Sequence, residues 1–223
     1  MLRITGLSKS YGSAQVLKAI NLSFNKGDIH GIVGLNGAGK TTLFKCICGI
    51  ESSVGKIEYD GGILKNETGY LPTEPYFFPN MTGHEYLQLL CNARNRKVTD
   101  FDSVNIFSLP LSKYAETYST GMQKQLAITG ILLQKNEVFI LDEPFNGIDI
   151  PGSILIKEII IKLKQANKTV IISSHILSYL QELCDFIHHI KEGRIINTVQ
   201  KGEKIEFEMG NLDEIKSILD SLI

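Results

Sequence analysis

Apolar and polar positions alternate through Leu2–Leu7 and Val16–Phe24, and a short unbroken apolar run follows at Ile29–Val33. Alternation predicts strands with one buried face; the unbroken run predicts a strand covered on both. Turn residues separate these runs at Tyr11-Gly12-Ser13 and Asn25-Lys26-Gly27-Asp28. From Gly39 to Ile50 the spacing becomes helical, and short strands are expected at Lys56–Tyr59 and Gly69–Leu71. The stretch from Met81 to Ala115 changes character. It has a helical segment at Glu85–Arg94, a polar link and Pro-punctuated pieces near Leu109-Pro110, and reads as an inserted helical subdomain over residues 79–120 or so. Then come a helix (Gly121–Gln134), a buried strand (Val138–Leu141), a helix (Gly152–Gln165), a strand (Thr169–Ser173) and a helix (Ile176–Cys184). Further short strands run to about Met209, and an amphipathic helix is expected at Leu212–Leu222. Strands alternating with helices predict a parallel α/β architecture.

Composition narrows the class without choosing a function. The 223 residues are 43% hydrophobic and 21% charged with a formal net charge of -1, which excludes disordered, collagen-like and coiled-coil chains and fits one sizeable unit. Lys plus Arg number 23 against 24 for Asp plus Glu, so there is no overall positive field for phosphate backbones and no nucleic-acid partner is expected. The most apolar stretch, Ile154–Leu163, is interrupted by Lys157, Glu158 and Lys162 and falls short of the ~20 residues a spanning helix needs. Met1–Gly12 has no secretory pattern, so a cytoplasmic location is expected. The four cysteines are too few for a disulfide scaffold. Cys46 and Cys48, if helical, point about 200° apart, so all four are read as core residues.

Chemistry enters at Gly34-Leu35-Asn36-Gly37-Ala38-Gly39-Lys40-Thr41, a GxxxxGK[ST] phosphate-binding loop set between an apolar strand and a helix. Glycines let main-chain N–H groups turn toward phosphates, and the helix adds its positive end. Lys40 reaches the β- and γ-phosphates and Thr41 offers a hydroxyl to Mg2+. In a chain of this composition chance supplies about 0.02 such matches. A second element, Val138-Phe139-Ile140-Leu141-Asp142-Glu143-Pro144, is an apolar strand that ends in two carboxylates. Asp142 is placed for the metal near Thr41, and Glu143, pointing elsewhere, for activating water.

Two further segments, Tyr118-Ser119-Thr120-Gly121-Met122-Gln123-Lys124-Gln125 before the acidic strand and Ser173-Ser174-His175 after the next one, complete a set that resembles the ATP-binding cassette (ABC) ATPases over nearly the whole chain. The family's signature reads Leu-Ser-Gly-Gly-Gln; here Tyr118, Thr120 and Met122 replace three of its residues while Ser119 and Gly121 remain. These departures look like the export-type branch. The resemblance implies an α/β P-loop NTPase core with a parallel sheet, an N-terminal antiparallel β subdomain and an inserted helical subdomain, the 223 residues forming a single cassette. It implies that ATP is held by Gly34, Asn36, Gly37, Ala38, Gly39, Lys40, Thr41 and Thr42, with Tyr11 stacking on adenine. Mg2+ would sit on Thr41 and Asp142; Lys40, Glu143 and His175 would be catalytic, and Asp149, in Asn146-Gly147-Ile148-Asp149, would be the D-loop acid. One departure stands at Thr73, where the family usually has glutamine; Glu74 is a possible substitute.

The resemblance also implies partners. Two chains pair head to tail, so that Ser119 and Gly121 of one complete the ATP site of the other, with the second chain identical or related. A separately encoded transmembrane permease is expected, and this chain would lie on the cytoplasmic face of the membrane as the ATP-hydrolysing subunit of an exporter. The competing reading is a soluble ABC-type ATPase that serves as an assembly or remodelling scaffold. A nucleotide switch without hydrolysis is disfavoured by the presence of both Glu143 and His175.

Overall fold

The structure is a computed structural model and describes residues 1–203; the helix expected at Leu212–Leu222 lies outside the described residues. Two long strands open the chain, β1 (Leu2–Tyr11) and β2 (Ala14–Phe24), followed by β3 (Ile29–Val33), helix α1 (Lys40–Ile47) and β4 (Val54–Tyr59). Next come a single turn of helix, α2 (Leu64–Glu67), then β5 (Thr68–Leu71), α3 (Gly83–Asn92) and α4 (Thr120–Leu133). The remainder is β6 (Val138–Leu141), α5 (Ile150–Gln165), β7 (Thr169–Ser173), α6 (Leu177–Leu183), β8 (Phe186–Lys191) and β9 (Arg194–Gln200).

Strands β2, β1 and β4 form an antiparallel three-stranded sheet in that order. Leu2, Ile4, Leu7, Leu17, Ile20, Leu22 and Phe24 supply its buried face, as their alternation predicts. The second sheet has the order β5-β6-β7-β3-β8-β9. Its strands are parallel except for β8–β9, an antiparallel hairpin. That hairpin departs from the uniform parallel alternation the sequence predicts. Its turn residues, Glu192 and Gly193, have φ of 50° and 76°, the left-handed pair that matches the twist of two adjacent antiparallel strands.

Each central strand divides its side chains between two cores. In β6, Val138 and Ile140 face the antiparallel sheet and α1, whereas Phe139 and Leu141 face α4, α5 and α6. Burial on both faces is why β3, β6 and β7 read as unbroken apolar runs. A third cluster, separate from both, gathers Phe77, Leu87, Cys91, Phe101, Leu109, Leu111, Ala115 and Tyr118 with Leu126 of α4. It surrounds α3, which opens on a capping box between Thr82 and Glu85. All four cysteines are free and buried, as expected. Among the described residues, no helix is long and apolar enough to cross a membrane.

Candidate functional site

The carboxyl ends of β3, β6 and β7 lie side by side, the location at which open α/β sheets place their ligands. The loop after β3 carries Gly37 and Gly39 at φ of 81° and 109°, conformations only glycine adopts without strain. Gly39 is the residue that caps α1, so the helix begins directly behind the loop. Lys40 is buried, and its ammonium donates to the main-chain oxygens of Gly34 and Leu35 at 2.7 and 3.3 Å. Phosphate oxygens are stronger acceptors for an ammonium than neutral carbonyls, so this arrangement holds a cation ready to exchange partners.

The two carboxylates at the end of β6 have different surroundings. Asp142 is fully buried and accepts from the Thr41 hydroxyl at 2.6 Å on one oxygen and from the Ser173 hydroxyl at 2.6 Å on the other. Glu143 takes a φ of 52°, uncommon for a residue with a side chain and costing about 1 kcal/mol. That turn sends its carboxylate away from Asp142 and toward His175, whose Nδ1 lies 2.9 Å from Glu143 Oε2. The His175 main-chain N–H donates to the same oxygen at 3.3 Å.

Two residues that the sequence reading gave no role secure this turn. Ser173 accepts from the Glu143 N–H at 2.9 Å while donating to Asp142. Lys124, only 1% exposed, donates to the carbonyls of Glu143 and Asn146 at 2.7 and 2.8 Å. Burial draws the Lys124 pKa below its ordinary value, and the charges of Glu143, Asp142 and Glu74 act in the other direction.

Lys40, Thr41, Asp142, Glu143 and His175 face one cavity of about 720 Å³, walled also by Asn36, Gly37, Gly39 and Thr42, together with Val16, Thr73 and Asn146. Of the expected ATP-site residues, Gly34 and Ala38 are buried within the loop and not on the wall. A Cβ on Gly34 would come within 2.3 Å of the Ile190 carbonyl. Tyr11 is not on the cavity wall; it sits at the tip of the β1–β2 hairpin with Lys9 Nζ 4.7 Å from its ring centre. Val16 on β2 lines the cavity instead, and nothing in its residue type marked it. Thr73 reaches the wall while Glu74 is exposed outside it.

Ser119, Gly121 and Asp149 are likewise not on the wall. Ser119 caps α4 by accepting from Met122 N, and Asp149 caps α5 by accepting from Gly152 N. Gly121 is where α4 meets the loop after β6, since a Cβ there would lie 2.7 Å from the Gly147 carbonyl.

Comparison with known proteins places this geometry. The family model described as ABC transporter matches residues 17–146. The chain belongs to the ABC transporter family. It is therefore an ATP-binding ATPase subunit of the kind its motifs resemble. A lantibiotic transport ATP-binding protein, SrtF of Streptococcus pyogenes, is 32% identical over 205 residues, 88% of this chain and 89% of that protein. A bacitracin transport ATP-binding protein, BcrA of Bacillus licheniformis, is 35% identical over 214 residues, covering 89% of this chain and 69% of the relative. The fold matches that of the ATP-binding cassette MJ0796 in a dimeric post-hydrolysis state bound to ADP and Pi. The TM-score is 0.82 at 19% identity, with 92% of this chain and 100% of that one covered.

Proposed function

We propose that the protein is the ATP-hydrolysing subunit of an ABC exporter, working from the cytoplasmic face of the membrane on a separately encoded transmembrane subunit. The observation that carries the reading is the convergence on one cavity of Lys40, Thr41, Asp142, Glu143 and His175, brought from three strand ends. The relatives named for lantibiotic and bacitracin transport support a transport role over an assembly scaffold. The match to a cassette solved as a dimer supports pairing of two chains, with Ser119 and Gly121 facing the partner's ATP.

In this reading the loop N–H groups and Lys40 hold the β- and γ-phosphates. Glu143 orients a water in line with the γ-phosphate and takes its proton; His175, bonded to Glu143, fixes the carboxylate's direction and reaches the phosphate. The donor set at Thr41 and Asp142 fits Mg2+. It offers one buried carboxylate and one hydroxyl, hard oxygen ligands that leave the remaining positions to phosphate and water. When bound with ATP, Mg2+ neutralises phosphate charge.

Glu143→Gln is expected to slow hydrolysis by roughly 10² or more while ATP binding is kept. Turnover at the parental rate would remove Glu143 as the base. Co-purification from membranes with a multi-spanning protein is expected; recovery with soluble partners alone would favour the scaffold.

A further inference from the structure

The signature helix and the hydrolytic loop are joined inside the same chain by one buried cation. Lys124 lies one turn into α4, which begins at the Ser119 cap. Its ammonium donates to the carbonyls of Glu143 and Asn146 and, among the described residues, to no carboxylate. Those carbonyls stand at the two ends of the 143–146 turn, closed by the Asn146 N–H donating to the Glu143 carbonyl at 3.2 Å, which directly follows the Glu143 φ of 52°. Within that turn Pro144 follows the base directly and has no N–H of its own to offer. Glu143 is thus fixed at its N–H by Ser173, at its carbonyl by Lys124 and at its carboxylate by His175. A second contact ties the same two elements, because Gly121 admits the Gly147 carbonyl where any larger residue would collide with it.

We infer that Lys124 is a positioning residue for hydrolysis: its two hydrogen bonds hold the 143–146 main chain in the conformation that aims Glu143 into the cavity, and make that loop move with the signature end of α4. The inference rests on the reading of Glu143 as the base. An ammonium of ordinary surface function would be solvated or paired. A buried one bonded only to carbonyls costs desolvation that its hydrogen bonds must offset, and here both bonds go to the loop that carries the base. Because Ser119 and Gly121 face the partner's ATP in the proposed dimer, Lys124 also links the site a chain completes for its partner to the site it hydrolyses itself.

The test compares steady-state ATP hydrolysis by the full chain with that of Lys124→Met and Lys124→Gln. Methionine keeps most of the stem without donors, and glutamine keeps N–H donors without the charge. Lys124→Met is expected to lower kcat by about 30-fold with KM for ATP within about twofold, because a misaimed base affects the chemical step and not ground-state binding. Lys124→Gln is expected to recover to within about fivefold of the parent. A methionine variant within twofold of the parental kcat, or a glutamine variant as slow as methionine, would overturn the inference. Should the methionine variant not fold, Lys124→Asn, whose amide is too short to reach both carbonyls, is compared with Lys124→Gln. Faster amide exchange confined to residues 145–147 with a kcat well below that of the glutamine variant supports the assignment, and exchange and kcat equal to those of the glutamine variant overturn it. Parental turnover in Glu143→Gln would sink the base assignment while leaving the exchange result standing, so the two failures separate.

Discussion

At the amino ends of the parallel strands, Lys26 and Lys168 meet Glu137, and Lys164 meets Asp185, each pair partly open to solvent. At the carboxyl ends, Lys40 and Lys124 are buried and bonded to carbonyls, and Asp142 is buried and bonded to hydroxyls. The same residue types therefore do different work at the two edges of one sheet. Rim pairs neutralise each other locally and are worth little. Buried charges on neutral partners are held at a desolvation cost, which Lys40 and Asp142 bear on the cavity wall and Lys124 bears behind it. What separates the edges is how each charge is satisfied, not how many there are.

The largest break in that comparison comes from Lys40. Removing the ammonium in Lys40→Ala is expected to lower ATP hydrolysis by about 10² or more and to weaken nucleotide binding, measured by steady-state kinetics and fluorescent-nucleotide titration. Retention of parental affinity and rate would mean that the buried cation serves the fold alone.

A buried pair in the lower half of the sheet sharpens the contrast. His30 on β3 and His188 on β8 stack with Nδ1 of the first 3.2 Å from Nε2 of the second, flanked by Phe24 and Phe186. Burial lowers His30 to about 4 against the opposing charge of Asp185. Burial, aided by the charge of His30, lowers His188 to about 3. Lacking the carbonyl cage of Lys124, these groups give up their charge. A histidine whose pKa falls on folding contributes stability that is fully present above about pH 6.5 and is lost as pH drops toward the folded-state values. The unfolding free energy should fall by of order 5 kcal/mol between pH 6.5 and 4, about half from each histidine. Urea titrations of the parent and of a His30→Gln, His188→Gln variant test this; equal pH slopes in that window would refute it.

Much of the upper edge is legible in the sequence because its signals are local. Glycine spacing before Lys40, two carboxylates after an apolar run and a histidine two residues past the next strand each lie in one short segment. The strands of the parallel core are legible for the same reason, since burial on both faces leaves continuous apolar runs. What the sequence hides depends on contacts across the fold. Lys124 looks like a surface lysine on a helix until α4 is laid against the loop after β6. Ser173 is one hydroxyl among several until Asp142 and Glu143 converge on it. Val16 is one more apolar position of an alternating strand and reaches the cavity only because β2 passes beside it. The short helix α2 is missed because four residues carry barely one helical period, too little for a recurrence to show.

The smallest expected effect belongs to the lower rim, where it is most diagnostic. Glu137 accepts from Lys168 and Lys26, and the bond from Lys168, ahead of the charges of both lysines, holds its pKa below the usual glutamate value. Because that pKa is lowered on folding, the pair's contribution is present at neutral pH and disappears as pH falls through the folded-state value. Glu137→Gln should cost no more than about 1 kcal/mol at neutral pH, a loss that shrinks further in high salt, and should leave ATP hydrolysis within twofold of the parent. Thermal melts at two salt concentrations and a steady-state assay measure both. A tenfold loss of turnover would show that the two edges of the sheet are coupled, and that the contrast between paired and caged charges does not divide structure from function in this molecule.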